Sequence, residues 1–93
     1  MARILTVDDS PVMRQMVKAT LIDAGHEVVQ GANGEEALRI AATQVFDMVI
    51  TDVNMPVMDG FETAKRIREV DRSLHIHTPI IAMTGSGTGD AAD

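Results

Sequence analysis

The residues in this chain best suited to chemistry are aspartates, and they fall where short apolar runs end. Asp8 and Asp9 follow Arg3-Ile-Leu-Thr-Val7, Asp52 follows Asp47-Met-Val-Ile-Thr51, and Thr84 follows Ile80-Ile-Ala-Met83. In an open parallel sheet, ligands bind outside the carboxyl ends of the strands, so adjacent strands would bring three carboxylates and a hydroxyl into one pocket. Three carboxylates about 4 Å apart repel one another by roughly 4 kcal/mol per pair at an effective dielectric near 20. That is a large share of a small domain's stability and must be offset. A hard divalent cation offsets it with oxygen ligands, and magnesium takes one or two carboxylates, a carbonyl, retained waters and a phosphate oxygen. The carbonyl of Asn54, two residues past Asp52, is placed to be such a ligand. An isolated Asp-Asp pair is most simply a turn and helix cap. Here the pair coincides with a strand-end aspartate and a strand-end Thr-Gly, and capping needs alone do not ask for all three.

The elements that must position these groups alternate between strand and helix patterns, the signature of βαβ units and a parallel sheet with helices on its faces. The first strand, residues 3–7, leads into Ser10-Pro11, a capping hydroxyl before a proline suited to the first helical turn. A helix to about Ala24 follows, with an apolar stripe of Met13, Met16, Val17, Thr20, Leu21 and Ala24, and Gly25 ends it. The second strand is residues 27–30, and Asn33-Gly-Glu-Glu36 opens a helix to about Thr43 with Ala37, Ile40 and Ala41 inward. The third strand, residues 47–51, is almost continuously apolar, as a central strand covered on both faces should be. Asp59-Gly-Phe-Glu62 has capping-box spacing and starts a third helix with Phe61, Ala64, Ile67 and Val70 inward. Strand four is residues 80–83, entered through Thr78-Pro79. Residues 86–93 read as a flexible, polar Gly/Ser-rich tail.

Composition narrows the function. A chain of 93 residues, 45% hydrophobic, has room for one small domain. With no cysteine, disulfides and thiolate metal sites are excluded. A net charge of −6 disfavours duplex nucleic acid as a direct partner and suits cations or basic protein surfaces. There is no tryptophan or tyrosine, and Phe46 and Phe61 are the only aromatic rings of this kind, which rules out a stacking platform for single strands. No segment has the pattern of a signal peptide or a membrane span, so the expected location is the cytoplasm.

Three stretches, Ile4-Leu-Thr-Val-Asp-Asp-Ser10, Asp47-Met-Val-Ile-Thr-Asp-Val-Asn-Met-Pro-Val-Met-Asp-Gly60 and Pro79-Ile-Ile-Ala-Met-Thr-Gly85, together resemble receiver domains of two-component signalling, of the chemotaxis-regulator type. The resemblance runs from Ala2 to about Gly85 and places the domain at residues 1–85. It implies a flavodoxin-like, doubly wound α/β fold with strand order 2-1-3-4. It also implies Asp52 as phosphoacceptor, Asp8, Asp9, Asp52 and the Asn54 carbonyl as magnesium ligands, and Thr84 as the hydroxyl contacting the phosphate. Manganese or calcium could substitute for magnesium. The implied donor is a phosphohistidine on a sensor kinase or phosphotransfer protein, and no separate substrate chemistry is implied.

The family pattern continues after Thr84 with a further helix, a fifth strand ending in a phosphate-contacting lysine, and a closing helix. Lys18 and Lys65 are the only lysines here, and both fall within helices. Metal binding is therefore expected to survive, with phosphoryl transfer slow unless another chain provides a cation. The chain is expected to be part of a longer protein, or to associate with a second copy through strand four, whose Ile80, Ile81 and Met83 are apolar. The rival reading is a pseudo-receiver that keeps the pocket but works through protein contacts alone. A phosphatase of the haloacid dehalogenase type needs a second aspartate two residues past the first, whereas Asp9 is adjacent to Asp8.

Other features read more plainly. His75 and His77 lack a third metal ligand and are expected to be solvated. Most methionines fill gaps on inward stripes, with Met55 and Met58 as exposed exceptions available to a partner. Lys65, Arg66, Arg68 and Glu69 form a solvated helix face.

Overall fold

A computed structural model describes residues 1–55 and 58–83. Seven elements alternate along the chain: β1 (Arg3–Val7), α1 (Pro11–Asp23), β2 (Glu27–Gly31), α2 (Gly34–Thr43), β3 (Met48–Asp52), α3 (Gly60–Leu74) and β4 (Ile80–Met83). All strand pairings are parallel, and the order across the sheet is β2-β1-β3-β4, as expected. Thr84 and the tail at 86–93 lie outside the described residues.

Local chemistry starts and stops the helices where the sequence indicated. Ser10 Oγ accepts from the Met13 N–H at 3.3 Å, and Pro11 occupies the first turn of α1. Asn33 Oδ1 accepts from the Glu36 N–H at 2.8 Å, and the Glu36 carboxylate accepts from the Ala32 N–H at 2.7 Å, so both donors at the entry to α2 are satisfied. Gly25, at φ 93°, turns the chain out of α1 in a conformation costly for any residue with a Cβ.

One face of the sheet is well covered. Leu5, Val7 and Val49 pack with Ala37 and Ala41 of α2, Ile67 of α3, Phe46 and Met55 to form the buried cluster. The other face holds α1 alone among the described elements, and here the expectation fails. No residue of α1 is buried, Met16 is 58% exposed, and Met13, Met16, Val17, Thr20 and Leu21 line an open apolar groove. Ala24, expected on the stripe, is the exposed C-cap. The periodicity was read correctly as amphipathic, but a stripe is buried only where a second element lies against it.

Two further corrections concern α3 and the methionines. Phe61 is 64% exposed, and the inward positions are Gly60, Thr63, Ile67 and Asp71, with Ala64 and Val70 half-buried. Gly60 takes the inward place because the helix start must touch the backbone of Asp52, which turns Phe61 about 100° away from the core. Met55 is 7% exposed and joins the core, and Met58 packs against Gly34, where an added Cβ would stand 2.7 Å from its sulfur. Beyond the terminal Met1, the exposed methionines are Met13 and Met16, the reverse of what the sequence suggests.

β4 is held at its entry by a buried network. Asp71 accepts from the Thr78 N–H at 2.7 Å and the Thr78 hydroxyl at 3.1 Å, while Arg68 donates to the Thr78 carbonyl. Arg68 is thus a tie between α3 and β4 rather than part of a solvated face. Also at the amino-terminal edge of the sheet, Arg3 lies 5.3 Å from the Phe46 ring centroid and 3.4 Å from the Glu27 carboxylate, which braces β1 against its neighbours.

Candidate metal centre

β1 and β3 are adjacent and in register, with Val7 opposite Thr51, so their next residues, Asp8 and Asp52, emerge side by side. One carboxylate oxygen from each of Asp8, Asp9 and Asp52 lies within 4.8 Å of the others, and this is the only group of this kind among the described residues. Asp8 and Asp52 are buried and Asp9 is exposed, so the cluster has a closed base and an open mouth. His75 caps α3 in a left-handed conformation at φ 59° and His77 is exposed; neither belongs to a metal-ligating group.

The two buried carboxylates are oriented in the same way. Asp8 Oδ1 accepts from the Ser10 N–H at 2.9 Å, and Asp52 Oδ1 accepts from the Asn54 N–H at 3.3 Å. Each aspartate thereby folds back over the residue two further on, the Asx-turn geometry that strand-end aspartates favour. Asn54 itself is exposed beside Asp52, where the sequence placed it.

Electrostatics record the strain of this arrangement. Burial pushes the Asp8 carboxyl above its ordinary value, Asp52 and Asp9 push it further, and the Ser10 N–H and the Arg14 guanidinium oppose them. A desolvated carboxylate beside two others fits a hard divalent cation, which supplies the missing positive charge and accepts oxygen donors only.

The sequence reading missed two residues that build this site. Gly60 presses its backbone on Asp52: an added Cβ would fall 2.2 Å from the Asp52 carbonyl oxygen, and the Gly60 N–H bonds the Val53 carbonyl at 2.9 Å. The signal was the Asp59-Gly60 dipeptide, read there as a cap alone; Asp59 does cap α3, accepting from the Glu62 N–H at 2.8 Å. Arg14, outside the apolar stripe of the first helix, donates to the Asp8 carbonyl at 2.7 Å.

Comparison with known proteins agrees with this fold. The family model for the response regulator receiver domain matches residues 4–93. The chemotaxis protein CheY4 of Vibrio cholerae superimposes with a TM-score of 0.85 at 48% identity, covering 99% of this chain and 75% of that one. The response regulator TrrA of Thermotoga maritima, solved in complex with Mg(2+)-BeF, gives a TM-score of 0.83 at 36% identity over 98% of this chain and 76% of that one. A protein-glutamate methylesterase/protein-glutamine glutaminase of Hahella chejuensis is 42% identical over 95% of this chain, which spans 24% of that relative's length. The chain belongs to the response regulator receiver domain family, the receiving module of two-component signalling.

Proposed function

We propose that this domain accepts a phosphoryl group on Asp52 from a phosphohistidine donor, with magnesium held by Asp8, Asp9, Asp52 and the Asn54 carbonyl. The observation that carries the reading is the convergence of three carboxylates on the carboxyl edge of β1 and β3. A carboxylate oxygen of Asp52 forms the new O–P bond as the P–N bond of the donor breaks and the imidazole leaves with its electron pair. When bound there, a magnesium ion would neutralise charge on the phosphoryl oxygens, and manganese or calcium could take its place. Asp8 and Asp9 keep the ion beside the acceptor, the Asx turn at Asp52 aims its oxygens, and the closed base of the cluster limits water. Hydrolysis of the acyl phosphate by water returns Asp52 to its free form and releases phosphate. Thr84 is assigned to contact the phosphate on the strength of the family resemblance. Lys18 and Lys65 fall in α1 and α3, so a cation for the phosphate is to come from outside residues 1–83.

The partner is a sensor histidine kinase or a phosphotransfer protein, and the module itself turns over no separate substrate. The uncovered α1 stripe and the exposed Ile81 of β4 favour a second role in association, with another copy pairing along β4. No helix among the described residues is long and apolar enough to cross a membrane, and we assign the domain to the cytoplasm by its expected kinase partner.

Beryllofluoride with magnesium tests the phosphoacceptor reading. Amide resonances around Asp52 should shift on adding both together, and Asp52→Asn should abolish the shift. An equal response in Asp52→Asn, or none in the unaltered protein, contradicts it.

A further inference from the structure

The N–H of Asp8 continues the strand ladder, but its carboxylate and its carbonyl are engaged in ways the ladder cannot supply. Its N–H bonds the Gly31 carbonyl of β2 at 3.1 Å and its carboxylate takes the Ser10 N–H at 2.9 Å. The Asp8 carbonyl lies one residue beyond the last β1–β3 pair, Val7 with Thr51, and is met instead by the Arg14 guanidinium at 2.7 Å. Arg14 is itself fixed at both ends, because its backbone N–H bonds the Ser10 carbonyl at 3.0 Å and its carbonyl accepts from the Gln30 side chain at 3.1 Å.

The carbonyl of Asp8 belongs to the peptide plane that joins Asp8 to Asp9. Turning that plane moves the Cα of Asp9, whose exposed carboxylate has no hydrogen bond of its own to a described residue. We propose that Arg14 is a positioning residue of the cation site: by holding the Asp8–Asp9 peptide plane through the Asp8 carbonyl, it keeps the Asp9 carboxylate within reach of the ion shared with Asp8 and Asp52. The proposal rests on the cluster being a divalent cation site and adds a residue to it.

Two effects of Arg14 on the metal oppose each other, and their signs tell them apart. Its positive charge beside the cluster repels a cation, so by charge alone its removal tightens binding. Its bond to the Asp8 carbonyl orients a ligand, so by position its removal weakens binding, and groups that orient metal ligands commonly matter by ten-fold or more. The direct bond to the Asp8 carbonyl at 2.7 Å makes positioning the effect expected to win, and the sign of the change in metal affinity reads which of the two does.

Calorimetric titration of magnesium chloride into the unaltered protein, Arg14→Met and Arg14→Lys, with thermal melts of each, makes the test. Arg14→Met keeps the stem and loses the donor; its dissociation constant should rise about ten-fold. Arg14→Lys, which restores one donor, should recover most of the loss. The metal-free melting temperatures of the two variants should agree closely, which a general structural role for the guanidinium would not produce. Equal or tighter binding by Arg14→Met overturns the proposal, as does weaker binding that lysine leaves uncorrected. An absence of magnesium uptake in the unaltered protein overturns the cation site itself, and the proposal with it.

Discussion

Asp8 illustrates how one side chain can be unfavourable for folding and still be the one the proposed cation site calls for. Its carboxyl is raised above the ordinary 3.8 first by burial, then by Asp52 and Asp9, so the folded state holds the proton more tightly than the unfolded state. Its contribution to metal-free stability is therefore full below 3.8 and lost as pH rises through its higher folded value. Magnesium requires the ionised form, so its stabilising effect should grow over the same rise in pH. Asp8→Asn keeps the acceptor for the Ser10 N–H while removing the charge; melts at neutral pH should show a more stable metal-free protein that magnesium no longer stabilises. The unaltered protein, at magnesium 100-fold over its dissociation constant, should gain about 2.7 kcal/mol. Thr6, two residues earlier on β1, carries a buried hydroxyl without a hydrogen-bond partner among the described residues. Thr6→Val, nearly the same shape without the polar atom, should raise stability by about 1 kcal/mol in denaturant titration. The three aspartates were legible in the sequence because each sits where an apolar run ends. Arg14 and Gly60 were not, since one acts through a backbone carbonyl and the other through the absence of a side chain.

At the scale of elements, the junctions decide whether the strand ends arrive together. Gly60→Ala would drive a methyl group into the Asp52 carbonyl, and neither backbone can yield without moving the acceptor. A loss of about 3 kcal/mol or more is expected, with weakened magnesium binding in whatever remains folded. Asp71→Ala leaves the buried Thr78 N–H and hydroxyl without acceptors at the entry to β4. It should cost about 2 kcal/mol in denaturant titration and speed hydrogen exchange along β4 before β1 or β3. Element positions followed from period and capping signals, the strand order across the sheet from the family resemblance, and every strand fell within one residue of its expected bounds. The faces were less legible. Phe61 faces outward against expectation because the contact of Gly60 with Asp52 sets the rotation of α3, and no hydrophobic pattern encodes that contact.

For the molecule as a whole, one face of the sheet forms the packed core and the other is partly open. Leu5, Val49 and Ile67 are fully buried on the first, whereas Met16 of α1 and Ile81 of β4 face outward. Apolar surface left in water in this way favours association. Sedimentation of Ile81→Lys should show less self-association than the unaltered chain at equal concentration, and a purely monomeric unaltered chain would remove the proposed pairing along β4. The site does not share this asymmetry, because its carboxylates come from β1 and β3 at the centre of the sheet and their positions depend on the well-packed face.

Intact-protein and peptide mass spectrometry after incubation with a small acyl phosphate, with and without a magnesium chelator, tests the central claim most directly. A phosphoryl adduct on Asp52 should form only with free magnesium and be absent from Asp52→Asn, and a cation in solution that can pair with the phosphate should increase its yield. An adduct at another residue, or one on Asp52 that forms equally well in the presence of the chelator, would contradict the account.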